Sequence, residues 1–255
     1  MEKLKVIKIG GNVIDNPDAL ESFLEAFAAV PGAKILVHGG GAIASRTLKK
    51  MGIEPVMIEG RRVTDADTLQ VVTAVYAGLI NKTIVATLQK YNCNAIGLSG
   101  ADGNALTSEK RPATPIDYGF VGDVKAVNSS TFCTLLSAGM VPVVCAINHD
   151  GNGTLLNTNA DTIASSVAVA MSGIYETELI LCFEKDGVLM DKDDDGSVIP
   201  EIDRQLFEQL KNEGKVNAGM LPKLKNAFDA IDAGVGKVII KNSARLSDGS
   251  GTTIR

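Results

Sequence analysis

A lysine followed closely by two glycines is the first group of residues in the chain whose types suggest chemistry. Lys8 lies two residues before Gly10 and Gly11, in the apolar segment from Val6 to Ile14. The segment is rich in β-branched residues, which predicts a buried strand that leads into a turn. A buried lysine is costly unless an anion meets it, and glycines let backbone N–H groups approach that anion. The alternative is an edge-strand lysine whose tip reaches solvent.

A second glycine-rich turn follows the next predicted strand. The apolar segment from Ala33 to His38 leads directly into Gly39, Gly40 and Gly41. Three consecutive glycines carry a cost in backbone entropy, which favours a ligand lying against the backbone at a helix N-terminus. The spacing matches neither the dinucleotide fingerprint nor the P-loop, so both of those nucleotide sites are excluded.

An arginine pair precedes the next predicted helix. Arg61 or Arg62 would suit a carboxylate through a bidentate hydrogen bond, although a solvated pair explains the same residues. Thr64 with Asp67 predicts a capping box at the helix start. The apolar face of this helix is expected to consist of Leu69, Val72, Tyr76, Leu79 and Ile80.

Polar residues also mark two later segments. In an extended chain Asn157, Asn159 and Asp161 project to one side and form a polar wall, although Asx-turns with an N-cap at Asp161 are an equal alternative. Lys223 lies in the first turn of a predicted helix, where it opposes the helix dipole unless an anion binds beside it.

No metal site is predicted. Residues 191–196 resemble the start of an EF-hand loop, but the position of its closing glutamate is Ile202, so we interpret the segment as an acidic hairpin turn. His38 and His149 are the two histidines of the chain, and they lack the spacing of zinc ligands.

The composition limits the class of protein. The 255 residues suffice for one large α/β domain or two lobes, and the net charge of −5 argues against nucleic-acid binding. The four cysteines form no C-x-x-C pair and are expected to be free thiols in a reducing cytosol. Charged residues interrupt the N-terminal apolar segment, and no run of about eighteen apolar residues exists, so we expect neither a signal peptide nor a membrane span.

Strands and helices alternate along the chain. Asn16 with Pro17 predicts a helix start, and further buried strands are predicted at Val141 to Ile147, Leu179 to Phe183 and Gly236 to Lys241. A small antiparallel excursion is expected at residues 119–127. The alternation is typical of an α/β fold with a mostly parallel sheet.

The order of the motifs resembles that of the amino acid kinase family over almost the whole chain. These motifs are K-I-G-G at Lys8, H-G-G-G at His38, R-V-T-D at Arg62, G-L-S-G-A-D-G at Gly97, N-T-N-A-D at Asn157 and G-M-L-P-K at Gly219. The R-V-T-D helix start together with N-x-N-A-D resembles the branch that phosphorylates N-acylated glutamate. The resemblance implies a three-layer α/β/α sandwich with a mostly parallel central sheet. It further implies a single domain over residues 1–255, with an N-acylglutamate lobe near 1–170 and an ATP lobe near 171–255.

The resemblance also implies roles for individual residues. Lys8 and Lys223 would stabilise the transferring phosphoryl group, and Asp161 would hold both lysines. Gly10, Gly11 and Gly41 would give backbone N–H groups to phosphate oxygens. The implied residues for the N-acylglutamate are Gly40, Gly41, Arg62, Asn157 and Asn159. The implied residues for ATP are Gly10, Glu184, Lys185, Asp186, Gly187 and Val216. The implied cofactor is ATP with Mg²⁺, in a cytoplasmic homodimer that binds neither nucleic acid nor membranes.

Departures from the family pattern lie in the expected nucleotide half. Relatives commonly carry Thr or Ser followed by Asp where this chain has Phe183 and Glu184, and the first glycine of their G-G-M motif is replaced by Ala218. The sequence also starts directly on the first predicted strand, without the N-terminal helix of arginine-inhibited hexamers. We therefore expect a dimer without arginine feedback.

The implied reaction suits the residues present. A γ-carboxylate has an ordinary pKa of about 4.3 and is already ionised at neutral pH, so no general base is required. Positioning and charge neutralisation then make up most of the catalysis. The alternatives are the same reaction on another N-acylglutamate, such as N-succinylglutamate, or a catalytically silent sensor. Retention of both Lys8 and Lys223 disfavours the sensor.

Overall fold

The central feature of the fold is an eight-stranded sheet with helices against it. The computed structural model describes residues 1–191, 193–213 and 220–255. The strands are β1 (Lys3–Ile9), β2 (Ala33–His38), β3 (Met57–Ile58), β4 (Arg61–Arg62), β5 (Ala95–Leu98), β6 (Leu106–Lys110), β7 (Val121–Val127), β8 (Val141–Cys145), β9 (Ile147–His149), β10 (Leu155–Thr158), β11 (Glu176–Phe183), β12 (Glu201–Ile202), β13 (Lys237–Asn242) and β14 (Thr252–Ile254). The helices are α1 (Gly11–Asp15), α2 (Pro17–Ala29), α3 (Gly41–Lys50), α4 (Ala66–Thr73), α5 (Asn81–Lys90), α6 (Ser129–Ser137), α7 (Ala160–Ser172), α8 (Arg204–Asn212) and α9 (Leu221–Asp232).

The predicted mostly parallel sheet is confirmed. Its strand order is β12-β14-β13-β11-β1-β2-β8-β5, and the pairing of β13 with β14 is antiparallel while the other pairs are parallel. Strand β1 lies at the centre, between β11 and β2. Neighbouring residues on β1 point to opposite faces of the sheet, and both Val6 and Ile7 are fully buried. Both faces are therefore covered, as the α/β/α sandwich requires.

Four shorter strands form a second, smaller sheet. Strands β6, β7, β9 and β10 pair in a closed ring beside the main sheet. The predicted antiparallel excursion is confirmed, because β7 runs antiparallel to β6. Strand β10 pairs with β7, and Asn157 lies opposite Val121. The chain continues from β10 into α7.

A continuous helical segment follows the arginine pair, but it does not start as predicted. The cap is Asp65, whose carboxylate accepts a hydrogen bond from the Thr68 N–H at 2.8 Å, so the prediction of Thr64 as the cap is wrong. Between α4 and α5 the backbone is π-helical over Ala74–Ile80. The wider turn shifts the helix phase, and Leu79, predicted on the buried face, is 59% exposed.

This segment, Ala66–Lys90, is also long and apolar enough by composition to cross a bilayer. The prediction of no membrane span counted uninterrupted apolar residues and missed this property. Its apolar character has an explanation within the fold, because Val72, Ile84 and Leu88 are fully buried in the core.

Predictions from the sequence missed some of the elements in the C-terminal third of the chain. Helix α8 and the antiparallel strand β14 were not predicted. The hairpin turn around residues 191–196 agrees with a β-bridge between Leu189 and Val198. The division into lobes at residues 1–170 and 171–255 stays a prediction.

Candidate active site

The two glycine turns lie next to each other because β1 and β2 are parallel neighbours. Ile9 pairs with His38 at the ends of the two strands, so both turns leave the same edge of the sheet. Gly11 is the first residue of α1, and Gly41 is the first residue of α3. The N–H groups of a first helical turn have no partner within the helix, so both turns present donors where open α/β sheets place ligands.

The second turn needs glycine for a steric reason. Gly40 has φ of 149°, a conformation that L side chains rarely adopt, and a Cβ atom there would overlap the Cδ1 atom of Ile80. A Cβ atom on Gly39 would lie 3.7 Å from the Cβ atom of Ala160. The turn is thus packed tightly between the π-helical segment and the start of α7.

A buried histidine supports this turn. The Nδ1 atom of His38 lies 2.8 Å from the Gly39 carbonyl oxygen, and its Nε2 atom lies 3.0 Å from Nδ2 of Asn81. Burial lowers the pKa of His38 to about 4, so the ring is neutral at neutral pH. A neutral imidazole donates from one nitrogen and accepts at the other. We therefore assign the proton to Nδ1, which donates to Gly39, while Nε2 accepts from Asn81.

Beside the second turn lies a narrow pocket of about 160 Å³, which we call the arginine pocket. It is lined by residues from the glycine turn, the arginine pair, the long helical segment and the N-terminus of α7. Its lining residues are Gly39, Gly40, Gly41, Met57, Gly60, Arg61, Arg62, Tyr76, Val121, Ala146, Asn157, Thr158, Asn159 and Ala160. All five residues predicted to bind the N-acylglutamate are in this set.

Arg62 is buried and only partly satisfied. Its Nη2 atom donates to the Gly41 carbonyl oxygen and to the Ser45 hydroxyl, both at 2.8 Å. Its Nε and Nη1 atoms are buried without a hydrogen-bond partner. Buried donors without partners are costly, so this guanidinium is fixed at one nitrogen and retains donors for an anion. The burial of Arg62 excludes the alternative that it is a solvated surface arginine.

The amide residues of the pocket are also fixed by neighbours. Nδ2 of Asn157 donates to the Thr64 hydroxyl at 3.0 Å, and that hydroxyl donates to the Arg62 carbonyl oxygen at 2.9 Å. Asn159 caps α7, because its side-chain oxygen accepts from the N–H groups of Asp161 and Thr162. The N-cap is therefore Asn159 and not Asp161, which leaves the Asp161 carboxylate for other contacts.

Tyr76 is a pocket residue that sequence reasoning placed only in the core. It is buried, lines the arginine pocket and lies close to Arg62. Burial raises the pKa of its phenol, and the nearby Arg62 charge opposes that rise. The π-helical segment that turns Tyr76 toward the pocket left no signal in the apolar spacing.

The first glycine turn opens into a second cavity of about 380 Å³, which we call the lysine cleft. Its lining residues are Lys8, Gly10, Gly11, Asn12, Val13, Asp161, Phe183, Glu184, Lys185, Gly187, Met220, Lys223 and Ile240. Buried Lys8 lies with its Nζ atom 2.8 Å from Oδ1 of Asp161. The angles leave Oδ1 without a directed hydrogen bond, so the contact is an ion pair by distance.

Lys223 enters the cleft from the first turn of α9. Its Nζ atom lies 3.6 Å from the centre of the Phe183 ring, and Nζ of Lys8 lies 5.1 Å from the same ring. Burial lowers the pKa of Lys223; the Asp161 charge raises it, the Lys8 charge lowers it and the Glu184 charge raises it. Among the described contacts Asp161 pairs with Lys8 and not with Lys223, although it was predicted to hold both.

The predicted ATP residues divide into three groups. Glu184, Lys185 and Gly187 line the lysine cleft. Asp186 does not, because its carboxylate accepts hydrogen bonds from Asn242 and Arg245, both at 2.8 Å. Val216, with Ala218 and Gly219 of the last motif, lies outside the described residues.

Gly10 lines the cleft, but its backbone N–H is already used. It donates to the Cys182 carbonyl oxygen at 3.1 Å. Gly10 can therefore contact ATP only through its other atoms, whereas the N–H of Gly11, as the first residue of α1, has no intrahelical partner.

The arginine pocket and the lysine cleft adjoin at the start of α7. Ala160 lines the arginine pocket, and the next residue, Asp161, lines the lysine cleft. Two other cavities, of about 390 and 730 Å³, contain none of the predicted site residues. Across residues 1–191, 193–213 and 220–255 no group of three or more His, Cys, Asp or Glu side chains is arranged to hold a metal ion.

This fold and this pair of clefts define a class. An open, mostly parallel sheet carries, at the carboxyl ends of its central strands, helix N-termini, the buried Lys8 and the half-buried Lys223. Among the described residues that line the two clefts, the candidate bases are carboxylates, an arrangement typical of enzymes that transfer a phosphoryl group by charge stabilisation.

The chain belongs to the amino acid kinase family, which it matches over residues 3–242. It is 58% identical over 247 residues to acetylglutamate kinase of Cytophaga hutchinsonii, covering 96% of this chain and 94% of that protein. It is 52% identical over 254 residues to acetylglutamate kinase of Parabacteroides distasonis, with both chains fully covered. The crystal structure of smu.665 from Streptococcus mutans UA159 is similar, with a TM-score of 0.81, 26% identity and 98% coverage of each chain.

Proposed function

We propose that this protein transfers the γ-phosphoryl group of ATP to the γ-carboxylate of an N-acyl-L-glutamate, with N-acetyl-L-glutamate as the substrate, in arginine biosynthesis. The observation that carries the proposal is the junction of the two clefts at Ala160 and Asp161. A molecule bound by Arg62 in one cleft would extend its far end toward Lys8 in the other. The names of the related acetylglutamate kinases support the same substrate.

The arginine pocket would bind the amino acid end. Nε and Nη1 of Arg62 lack partners, and they are the donors that a carboxylate would satisfy. We assign them to the α-carboxylate. Because Nδ2 of Asn157 is held by Thr64, the side-chain oxygen of Asn157 would be the atom that accepts from the N-acyl amide, and Asn159 would support that wall as the cap of α7.

The lysine cleft would stabilise the transferring phosphoryl group. Lys8 and Lys223 supply two positive charges, and Gly11 supplies a backbone N–H group at the N-terminus of α1. Gly41, which lines the adjoining arginine pocket, offers a second N–H group at the N-terminus of α3. Asp161 orients Lys8 through the 2.8 Å ion pair. Fixed charges of this kind lower the barrier because they are in place before negative charge moves between the two oxygens.

The nucleotide would bind on the β11 side of the cleft, near Glu184, Lys185 and Gly187. Mg²⁺ would come with ATP as its phosphate complex and add charge neutralisation. The carboxylates of Asp161 and Glu184 line the cleft, which gives the chain oxygen ligands of the type that Mg²⁺ accepts.

Trapping of the product tests the reaction. With ATP, Mg²⁺ and N-acetyl-L-glutamate, the protein should form an acyl phosphate that hydroxylamine converts to a hydroxamate. The panel should include N-succinyl-L-glutamate, free glutamate, aspartate and UMP. Arg61 lines the arginine pocket beside Arg62 and would suit an acyl group that carries its own carboxylate. Turnover of the succinyl compound alone would therefore replace N-acetyl-L-glutamate with N-succinyl-L-glutamate as the proposed substrate. Binding without any hydroxamate would favour the sensor.

We also propose that the enzyme is a cytoplasmic homodimer. The four cysteines are free, which supports a reducing compartment. Leu79 exposes 59% of its surface on the helical segment Ala66–Lys90, and a partner that covered this large apolar side chain would remove it from water. Light scattering should give the mass of a dimer, and arginine should not inhibit. A hexamer or arginine inhibition would contradict this assignment.

A further inference from the structure

Phe183 lies between the two lysines of the lysine cleft. It is the last residue of β11. The Nζ atoms of Lys223 and Lys8 lie 3.6 and 5.1 Å from the centre of its ring. In the part of the chain that the structure describes, no other aromatic ring lies within such a distance of two ammonium groups.

We propose that Phe183 is a positioning residue for the phosphoryl transfer, and that its ring holds the Lys223 ammonium group over its face while leaving all three N–H donors free. This inference rests on the proposed function, because the donors are kept for phosphoryl oxygens.

The chemistry of the ring explains why it suits this task. The face of an aromatic ring attracts a cation through its quadrupole and offers no lone pair to an N–H group. A lysine ammonium has three donors and no acceptor. An oxygen ligand from a threonine or a carboxylate would occupy one of those donors, whereas the ring occupies none. Among the described residues, Lys223 has no hydrogen bond or ion pair to protein oxygen.

The arrangement also divides the compensation of charge between two groups. Two ammonium groups in one cleft repel each other, and each needs a compensating partner. Lys8 has the Asp161 carboxylate at 2.8 Å, and Lys223 has the Phe183 ring. At longer range the Asp161 and Glu184 charges raise the pKa of Lys223, and the Lys8 charge lowers it. Lys185 also lines the cleft, but it is paired with Asp195 at 2.6 Å.

The test compares two substitutions that differ in the ring face. Phe183→Leu keeps an apolar side chain and removes the face, and it should lower kcat about three- to thirtyfold, the range expected for one cation–π contact. The KM for the N-acylglutamate should stay within about twofold, because Phe183 does not line the arginine pocket. Phe183→Tyr retains the face and should restore most of kcat. Phe207→Leu, which removes a ring outside both clefts, is the matched control and should leave kcat unchanged.

A second measurement does not depend on turnover. In protein labelled with ¹³C-lysine, the ¹³Cε shift of Lys223, assigned with Lys223→Arg, should be followed against pH by NMR. Loss of the ring face removes stabilisation of the charged form, so the Lys223 titration should move to lower pH in Phe183→Leu and not in Phe183→Tyr. A residue that only fills space would leave this titration in place.

The outcomes separate this inference from the proposed function. Full kcat and an unmoved Lys223 titration in Phe183→Leu would overturn the role of Phe183, as would a Phe183→Tyr protein that behaves like Phe183→Leu. If no N-acylglutamate is turned over by the unchanged protein while the titration still moves, the proposed reaction fails and the ring contact stands. Should Phe183→Leu fail to fold by circular dichroism, Phe183→Met, with its adaptable side chain, should show the same two losses.

Discussion

The arginine pocket and the lysine cleft both contain cations that are at least half-buried, but the two clefts hold those cations differently. In the arginine pocket, Arg62 is fixed by two hydrogen bonds to Gly41 and Ser45, and its free donors have a rigid planar arrangement. In the lysine cleft, Lys8 and Lys223 end flexible stems and are held by one carboxylate and one ring. A rigid fork suits a carboxylate that stays in place, while point charges suit a phosphoryl group that moves between two oxygens.

The difference predicts where each change should appear in the kinetics. Changes in the arginine pocket should affect binding, because its contacts are the same before and during transfer. Changes in the lysine cleft should affect kcat, because its charges matter most when the phosphoryl group is between donor and acceptor.

The largest effect is expected from removing either lysine. Lys8→Ala and Lys223→Ala should each lower kcat by about a hundredfold or more, the scale of losing one electrostatic stabiliser. Binding of the N-acylglutamate, measured by calorimetry, should change little because neither lysine lines the arginine pocket. A near-normal kcat in either variant would remove that lysine from the mechanism.

Coupling to Asp161 should be the next largest effect. Asp161 pairs with Lys8, so Asp161→Asn combined with Lys8→Ala should cost less than the sum of the two changes, by roughly 1–3 kcal/mol in the activation free energy. The pairing with Lys223 is missing among the described contacts, so Asp161→Asn with Lys223→Ala should lie closer to additive. Equal coupling in both double variants would show that Asp161 organises the two lysines alike.

A smaller effect is expected in the arginine pocket. Arg62→Lys keeps the charge and loses the bidentate geometry, so the KM for the N-acylglutamate should rise about tenfold with kcat nearly unchanged. Arg204→Lys, at an exposed position on α8, is the matched control. An unchanged KM in Arg62→Lys would remove Arg62 from substrate binding, and a loss confined to kcat would remove the contrast between the two clefts.

The smallest effect concerns stability against pH. The folded-state pKa of His38 is about 4, below its ordinary 6.5, so the unfolded chain takes up a proton that the folded chain does not as the pH falls below 6.5. Stability present above 6.5 is therefore lost on acidification, by about 1 kcal/mol between pH 6.5 and 5.5. In urea unfolding, the free energy of unfolding of His38→Gln should fall by about 1 kcal/mol less than that of the unchanged protein between pH 6.5 and 5.5. His149→Gln is the matched control. An unchanged slope in His38→Gln would exclude the buried imidazole as the cause.

The parts of the fold that the sequence predicted depend on short-range patterns. Strands β1 and β2 followed from runs of β-branched residues, and the cap of α2 followed from Asn16 before Pro17, whose predicted geometry the structure confirms. The candidate residues Lys8 and Arg62 came from charged residues in apolar or glycine-rich surroundings. A parallel sheet then brings the ends of its strands to one edge, so these residues were expected near each other.

The parts that the sequence could not predict depend on partners far along the chain. The Gly10 N–H is used by Cys182, and the Asp186 carboxylate is used by Asn242 and Arg245. Tyr76 reaches the arginine pocket through a π-helical turn that apolar spacing does not reveal. Short-range patterns identify a donor or a carboxylate, and the tertiary fold decides whether that group is free for a ligand.

The central position of β1 has a consequence for synthesis of the protein. Along one side β1 pairs with β2, which follows soon after it, but along the other it pairs with β11, where Ile9 lies opposite Cys182. At roughly 5–20 residues per second, a ribosome needs about 10 to 35 seconds to make the intervening chain. During that time β1 is an incomplete edge with an apolar surface, a state that favours aggregation or chaperone binding. The strand that carries Lys8 is thus made well before its partner β11 and stays incompletely paired until β11 exists.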